Sequence, residues 1–153
     1  MLTIDVPGQD ALTFTHALFD LNGTLTDRGT PIEGVASKIA QLRRNLDVHI
    51  LSSNTFGTLA ECAARLGVNS AAVATGADKV RLLEQFGADS CIAIGNGSND
   101  AGMLQRAGLG IAVIGPEGAS FSALGAADIV CRSISEALDL VLDPQALEAT
   151  LRR

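Results

Sequence analysis

The residues best suited to chemistry lie in the octapeptide Asp20-Leu21-Asn22-Gly23-Thr24-Leu25-Thr26-Asp27. It follows an apolar run, Ala17-Leu18-Phe19, that reads as the end of a buried strand. An Asp that closes a strand and precedes a Gly-containing turn presents its carboxylate at the rim of a sheet. In open α/β sheets that rim is where ligands bind. Gly23 lets the backbone approach a ligand closely, and Thr24 adds a hydroxyl.

Three later segments end strands or open helices, so they can share that rim. Ser52-Ser53-Asn54-Thr55 places hydroxyls and free backbone N–H groups where a phosphoryl oxygen can be held. A helix-capping cluster has the same composition. Lys79 falls near the start of a helix, where the helix dipole disfavours a cation. The placement makes sense if Lys79 faces an anionic site; a solvated surface lysine is the plainer reading. Gly95-Asn96-Gly97-Ser98-Asn99-Asp100 puts two glycines among small polar residues at a strand-to-helix turn. Asp100 supplies a carboxylate there, and Mg²⁺ binds to one or two carboxylates plus water and phosphate oxygens.

The elements that must position these groups follow from hydrophobic spacing. Leu2 to Val6 and Leu12 to Asp20 read as strands joined by a hairpin turn at Pro7-Gly8-Gln9-Asp10, the first being an antiparallel edge on the main sheet. Glu33 to Leu46 has helical spacing at Val35, Ile39, Leu42 and Leu46. Thr55 to Leu66, Ala77 to Phe86, the stretch after Asp100 up to Ala107, and Gly118 to Gly125 read as further helices. Asp47 to Leu51, Val68 to Ala74, Ser90 to Ile94, Leu109 to Ile114 and Asp128 to Cys131 read as strands between them. Ser133-x-x-Glu136 forms a capping box, and Asp143-Pro144 an N-cap and first helical position. This alternation predicts right-handed βαβ units, a mainly parallel sheet and helices on both faces. No linker or repeat divides residues 1–153, so one domain is expected.

Composition narrows the function. The net charge is −6 and no basic run exceeds Arg43-Arg44, which argues against nucleic acid as a partner. The apolar runs are strand-sized, so no membrane span is expected. Met1-Leu2-Thr3-Ile4-Asp5 does not read as a signal peptide. Cys62, Cys91 and Cys131 are widely spaced and odd in number, which suits small core hydrophobes in a reducing cytoplasm better than zinc or disulfides.

Taken in order, the four segments resemble those of the haloacid dehalogenase (HAD) superfamily. Asp20 to Leu25 is similar to its Asp-x-Asp-Gly-Thr-Leu loop, and Gly95 to Asp100 to its Gly-Asp-Gly-x-Asn-Asp segment. The chain resembles most the P domain of P-type ATPases and the stand-alone soluble P-type ATPase-like proteins, whose Thr-Gly-Asp segment Ser52-Ser53-Asn54 matches in position. The resemblance implies a three-layer α/β/α Rossmannoid fold and a Mg²⁺ cofactor. It implies that Asp20 attacks a phosphoryl group, forms an aspartyl-phosphate and also holds the metal. The Asn22 carbonyl, Asn96 and Asp100 would complete the metal site. Gly23, Thr24, Ser52 and Ser53 would hold phosphoryl oxygens, Lys79 would neutralise the charge shared by Asp20 and phosphate, and Asn54 and Asn99 would support the site.

The sequence departs from the superfamily at Asn22, which stands where HAD phosphatases carry their general acid and base. An amide cannot ionise, and that help is worth about 10²–10⁴-fold. Asn54 and Asn96 likewise replace acids of the relatives. Leu25 to Leu51 is too short for an ATPase nucleotide-binding domain or a cap. An open, capless site implies a large substrate or cover by a neighbouring subunit of a homo-oligomer. Two functions follow: a slow Mg²⁺-dependent phosphohydrolase or phosphotransferase acting on a phosphorylated small molecule or macromolecule, or a non-catalytic regulatory protein that binds phosphate or metal.

Overall fold

The computed structural model describes residues 1–153. Ten strands and seven α-helices alternate along the chain. The hairpin β1 (Leu2–Ile4) and β2 (Leu12–Phe14) comes first, followed by β3 (His16–Phe19), which leads directly to Asp20. A small flap, β4 (Thr26–Asp27) with β5 (Thr30–Pro31), precedes α1 (Val35–Leu42) and β6 (Asp47–Ser52). Then come α2 (Leu59–Leu66), β7 (Asn69–Ala72), α3 (Gly76–Phe86), β8 (Cys91–Gly95), α4 (Ala101–Arg106) and β9 (Leu109–Val113). The chain continues through α5 (Phe121–Ala126), β10 (Ile129–Cys131), α6 (Ile134–Leu142) and α7 (Pro144–Leu151). No helix is long and apolar enough to cross a membrane.

Six strands form one sheet in the order β10-β9-β8-β3-β6-β7, and every pairing in it is parallel. A parallel sheet is buried on both faces, so its central strands are apolar throughout: every residue of β8 and β9 is buried. The core therefore falls into two clusters. One joins Phe19, Ile50, Ile92 and Ile111 to α1, α2, α6 and α7. The other joins Leu18, Leu51, Ala93 and Ala112 to α3, α4 and α5. Strand order reverses between β3 and its two neighbours, β6 and β8, so the crevice at their carboxyl ends falls at Asp20.

Several boundaries differ from the sequence reading. The run from Leu12 to Asp20 breaks at Thr15, whose N–H donates to Ser90 and whose carbonyl accepts from Asp47. The backbone there leaves the hairpin and joins the main sheet, so β1 and β2 form a separate two-stranded sheet instead of an edge of the main one. The helix expected from Thr55 begins only at Leu59, because Gly57 (φ 67°) and Asn54 (φ 59°) turn the chain left-handed beforehand. At α6 the Ser133 hydroxyl accepts from the Glu136 N–H as expected, but the Glu136 carboxylate accepts from the Arg132 N–H, so the box is not reciprocal. Asp143 caps α7 through the N–H groups of Gln145 and Ala146, with Pro144 at its first turn. All three cysteines are buried; burial pushes the Cys91 thiol up to about 11, which keeps it from reacting as thiolate.

Candidate active site

Asp20 sits one residue past the end of β3, held there by its N–H on the Ile94 carbonyl of β8 (2.9 Å). The turn that follows is closed by three N–H groups, of Thr24, Leu25 and Thr26, on the Leu21 carbonyl. Gly23 makes this turn feasible. Its φ is +78°, and a methyl group built on it would lie 2.4 Å from Glu117 Oε2 and 2.7 Å from Asn96 Nδ2. Only glycine satisfies both the left-handed backbone and that lack of room.

Lys79 is fully buried and lies between two carboxylates. Its Nζ donates to Asp20 Oδ1 at 2.7 Å and to Asp100 Oδ1 at 2.6 Å. α3 brings it there: Thr75 caps the helix by accepting from the Asp78 N–H, and the Asp78 carboxylate accepts from the N–H groups of Ala74 and Thr75. Asp78 thus satisfies the exposed first turn, while the next residue points inward across the sheet end.

Asp100 is also fully buried. Its second oxygen accepts from the N–H groups of Asn96 (3.1 Å) and Gly97 (2.9 Å). Gly95 makes room for this: a methyl group there would fall 2.5 Å from Asp100 Cγ. Asp100 thus accepts from Lys79 through Oδ1 and from the loop backbone through Oδ2. Of the four groups expected to hold a metal, the two carboxylates, Asp20 and Asp100, both pair with Lys79.

Three charges share this small buried volume, and the sum is negative. Burial, then the nearby Asp100 carboxylate, push the Asp20 carboxyl up to about 6, against the opposing pull of Lys79 and Thr24. Burial disfavours the Lys79 ammonium, but Asp20 and Asp100 outweigh it and hold its pKa above the usual lysine value. The site therefore carries a charged lysine and a nucleophile candidate that favours additional positive charge.

Thr24 shows where such charge fits. Its hydroxyl lies 3.3 Å from Asp20 Oδ2 and 3.2 Å from Asn96 Oδ1, both long contacts, and its single proton serves only one of them at a time. One buried oxygen is left short of a donor. The Asn22 carbonyl accepts no hydrogen bond within the chain. Asp20, Asn96 and Asn22 thus offer oxygens alone, with no group of three His, Cys, Asp or Glu side chains that could hold a metal nearby. That donor set suits a hard, partly hydrated cation such as Mg²⁺ and does not suit zinc.

The other expected residues separate. Ser52 is buried at the end of β6; its Oγ accepts from the Asn54 N–H, which leaves its proton free to donate outward. Ser53 is exposed and its hydroxyl pairs with Thr55. Asn54 is structural: its Oδ1 accepts from the Leu59 N–H and opens α2. Asn99 is exposed and its side chain makes no hydrogen bond to the site. Asn22 is half-buried, with Oδ1 accepting from the Thr26 hydroxyl at 3.5 Å. An apolar cavity of about 440 Å³ opens behind this loop, between the flap, α1 and α2, lined in part by Leu21, Leu25, Ile32 and Leu66. Glu117 was not among the expected residues. Its signal in the sequence is the turn Gly115-Pro116-Glu117-Gly118, which follows β9 at the same rim.

A parallel α/β sheet with an Asp-Lys-Asp cluster at its switch point defines a class, and comparison with known proteins places the chain in it. Residues 24–108, more than half of the chain, match the model of the haloacid dehalogenase-like hydrolases, and the chain belongs to that family. The match begins just after Asp20. An uncharacterized protein of Methanocaldococcus jannaschii is 45% identical over 78 residues, which span 48% of this chain and 84% of that protein. Among solved structures, the cobalt-bound deoxy-D-mannose-octulosonate 8-phosphate phosphatase of Haemophilus influenzae is similar at a TM-score of 0.68 and 20% identity, over 92% of this chain and 94% of that one. The 3-deoxy-D-manno-octulosonate 8-phosphate phosphatase of Moraxella catarrhalis, in complex with magnesium, phosphate and KDO, is similar at a TM-score of 0.66 and 18% identity, over 91% and 94%. At these identities the structures establish the shared fold.

Proposed function

We propose that the protein is a Mg²⁺-dependent phosphohydrolase or phosphotransferase that works through a phosphoryl group on Asp20. The observation that carries this reading is Lys79, buried without any solvent exposure between Asp20 and Asp100. A lysine is almost never buried unless it is paired. Here the pairing holds the Asp20 carboxylate in place at the ligand-binding rim.

The residues divide the work as phosphoryl transfer requires, by position and charge. Lys79 orients Asp20 through Oδ1 and neutralises part of the charge that builds on the transferring group. Asp100 holds Lys79 from behind and is itself held by two backbone N–H groups. Ser52 and Thr24 present hydroxyl protons to phosphoryl oxygens. Asp20, the Asn22 carbonyl and Asn96 would hold Mg²⁺, which screens the negative charge of phosphate and nucleophile when bound. The substrate is a phosphorylated small molecule or macromolecule that reaches a rim bordered by the flap β4–β5 and the turn at Gly115–Gly118.

The test is phosphorylation of the purified protein by acetyl phosphate and Mg²⁺, read by intact mass, beside Asp20→Ala. A phosphate-sized gain that disappears in the variant supports the reading. Asn22 favours a second one, a regulatory protein that binds phosphate or metal without turnover. Binding of BeF₃⁻ with no labelling and no ester turnover is the result that supports it.

A further inference from the structure

We infer that Glu117 is the general acid and base of this site, the role for which Asn22 is chemically unfit. The inference rests on the phosphoryl-aspartate reading above. It starts from position. Glu117 Oε2 would lie 2.4 Å from a methyl group on Gly23, and Glu117 Cβ would lie 3.2 Å from it. The carboxylate is therefore laid over Gly23 of the nucleophile loop, and the Asn96 carboxamide approaches the same glycine, its Nδ2 2.7 Å from that methyl position.

The segment that carries Glu117 is built to hold it there. The Gly118 N–H donates to the Gly115 carbonyl at 2.9 Å, closing a four-residue turn with Pro116 and Glu117 at its centre. Proline presets the backbone at the first central position, and Gly118 takes the left-handed conformation at the end (φ 74°). Both ends are tied to the site. Asn96 Nδ2 donates to the Gly118 carbonyl at 3.0 Å, and the Ser120 N–H donates to the Asn96 carbonyl at 2.9 Å. On the other side Gly115 is packed against the Gly23 carbonyl so closely that a methyl there would fall 2.2 Å from it. The turn is thus locked to both the nucleophile loop and the Asn96 loop, and Glu117 stands at its exposed tip with no ion-pair partner. A solvent-reaching carboxylate held over a nucleophile can exchange protons with water between steps.

A role as metal ligand fits less well. Glu117 is exposed, whereas Asp20 and Asn96, whose oxygens are offered to a metal, are buried. In the first step Asp20 forms a bond to phosphorus, the ester P–O bond breaks, and the departing oxygen takes the electron pair and the Glu117 proton. In the second step a water oxygen attacks phosphorus, its proton goes to the Glu117 carboxylate, and the P–O bond to Asp20 breaks. Phosphate leaves, and both carboxyl groups return to their starting states.

The two steps can be read separately by intact mass. Acetate leaves acetyl phosphate without needing a proton, so Glu117→Gln is expected to slow labelling of Asp20 by no more than about threefold. After acetyl phosphate is removed, loss of the label is expected to slow about 100-fold, the lower end of acid–base assistance. The rate of label loss is expected to be partly restored in Glu117→Asp. Unchanged label loss in Glu117→Gln overturns the inference while leaving Asp20 as nucleophile. An equal fall in both steps assigns Glu117 a structural role, and a raised Mg²⁺ requirement for labelling assigns it to the metal; either result overturns the inference. Failure of the wild type to label at all overturns the Asp20 reading and the Glu117 role with it.

Discussion

Replacing Lys79 by Met keeps the length of the side chain and its apolar stem but removes the ammonium that joins Asp20 to Asp100. Two buried carboxylates then face each other, with Asp100 fully buried and Asp20 only 6% exposed. Breaking a buried pair by removing one partner costs about 3–5 kcal/mol, a large share of the roughly 5–15 kcal/mol that holds a domain together. The loss must depend on pH. With Lys79 in place Asp20 already titrates at about 6; without it the carboxyl is pushed further up. A proton taken up by Asp20 relieves the repulsion, and each pH unit in that window is worth up to about 1.4 kcal/mol. Urea unfolding of wild type and Lys79→Met at pH 5 and pH 8 measures both effects. The expected result is a loss of several kcal/mol at pH 8 that shrinks by at least about 1 kcal/mol at pH 5. A loss below about 1 kcal/mol, or the same loss at both pH values, refutes the account of Lys79 as the charge that holds this site together.

Other outcomes follow from the same geometry. Because the folded Asp20 pKa, about 6, lies above its unfolded value near 3.8, its titration favours the folded state most below pH 4 and loses that contribution as pH rises through 6. Asp20→Asn should flatten that part of a stability-against-pH curve measured by denaturant unfolding without metal, and a slope that persists would assign it to other groups. In the wild type, labelling by acetyl phosphate should rise as Asp20 ionises around pH 6 at limiting Mg²⁺ and shift to lower pH at saturating Mg²⁺; chelation with EDTA should abolish it. Asn22→Asp keeps the acceptor for the Thr26 hydroxyl and adds an ionisable group, so in the Glu117→Gln background simple phosphate esters should turn over about 100-fold faster, the lower end of acid–base assistance; flat activity with an intact fold means that the acid removed with Glu117 is not limiting. Gly23→Ala must place a methyl against Glu117 and Asn96 at positive φ, and should cost about 1–3 kcal/mol in unfolding experiments together with most of the labelling.

How far the sequence reaches differs from element to element. β8 and β9 were legible as strands because continuous apolar runs between turns have few other uses in an α/β chain. α1 was legible from Val35, Ile39 and Leu42, all of which are buried, but it ends at Leu42 and leaves the buried Leu46 outside the helix. The start of α2 was not, because Thr55 to Thr58 has no feature that forbids a helix; the Asn54 side chain and the left-handed Gly57 decide it. The hairpin's separation from the main sheet was likewise invisible, since Thr15 looks like any strand residue until Ser90 and Asp47 stand on either side of it.

The same division runs through the site. Asp20, Gly23, Thr24 and Asp100 could be read from local sequence, because a carboxylate or glycine at a strand-end turn has a short-range signature that does not need the rest of the chain. Lys79 could only be suspected from its misfit with a helix N-terminus. Its ion pairs span 59 residues to Asp20 and 21 to Asp100, and only the stacking of β3 between β6 and β8 closes those distances. Ser52, Ser53 and Asn54 share one tripeptide, yet folding turns one hydroxyl inward, leaves one in solvent and spends the amide on a helix start. Glu117 had no chemical signature at all, since one surface glutamate in a Gly-Pro-Glu-Gly turn resembles many others. Its place over Gly23 is set by three chain segments that meet at the carboxyl end of the sheet. Local residue types fix what a group can do, and only the packed sheet decides what it stands beside.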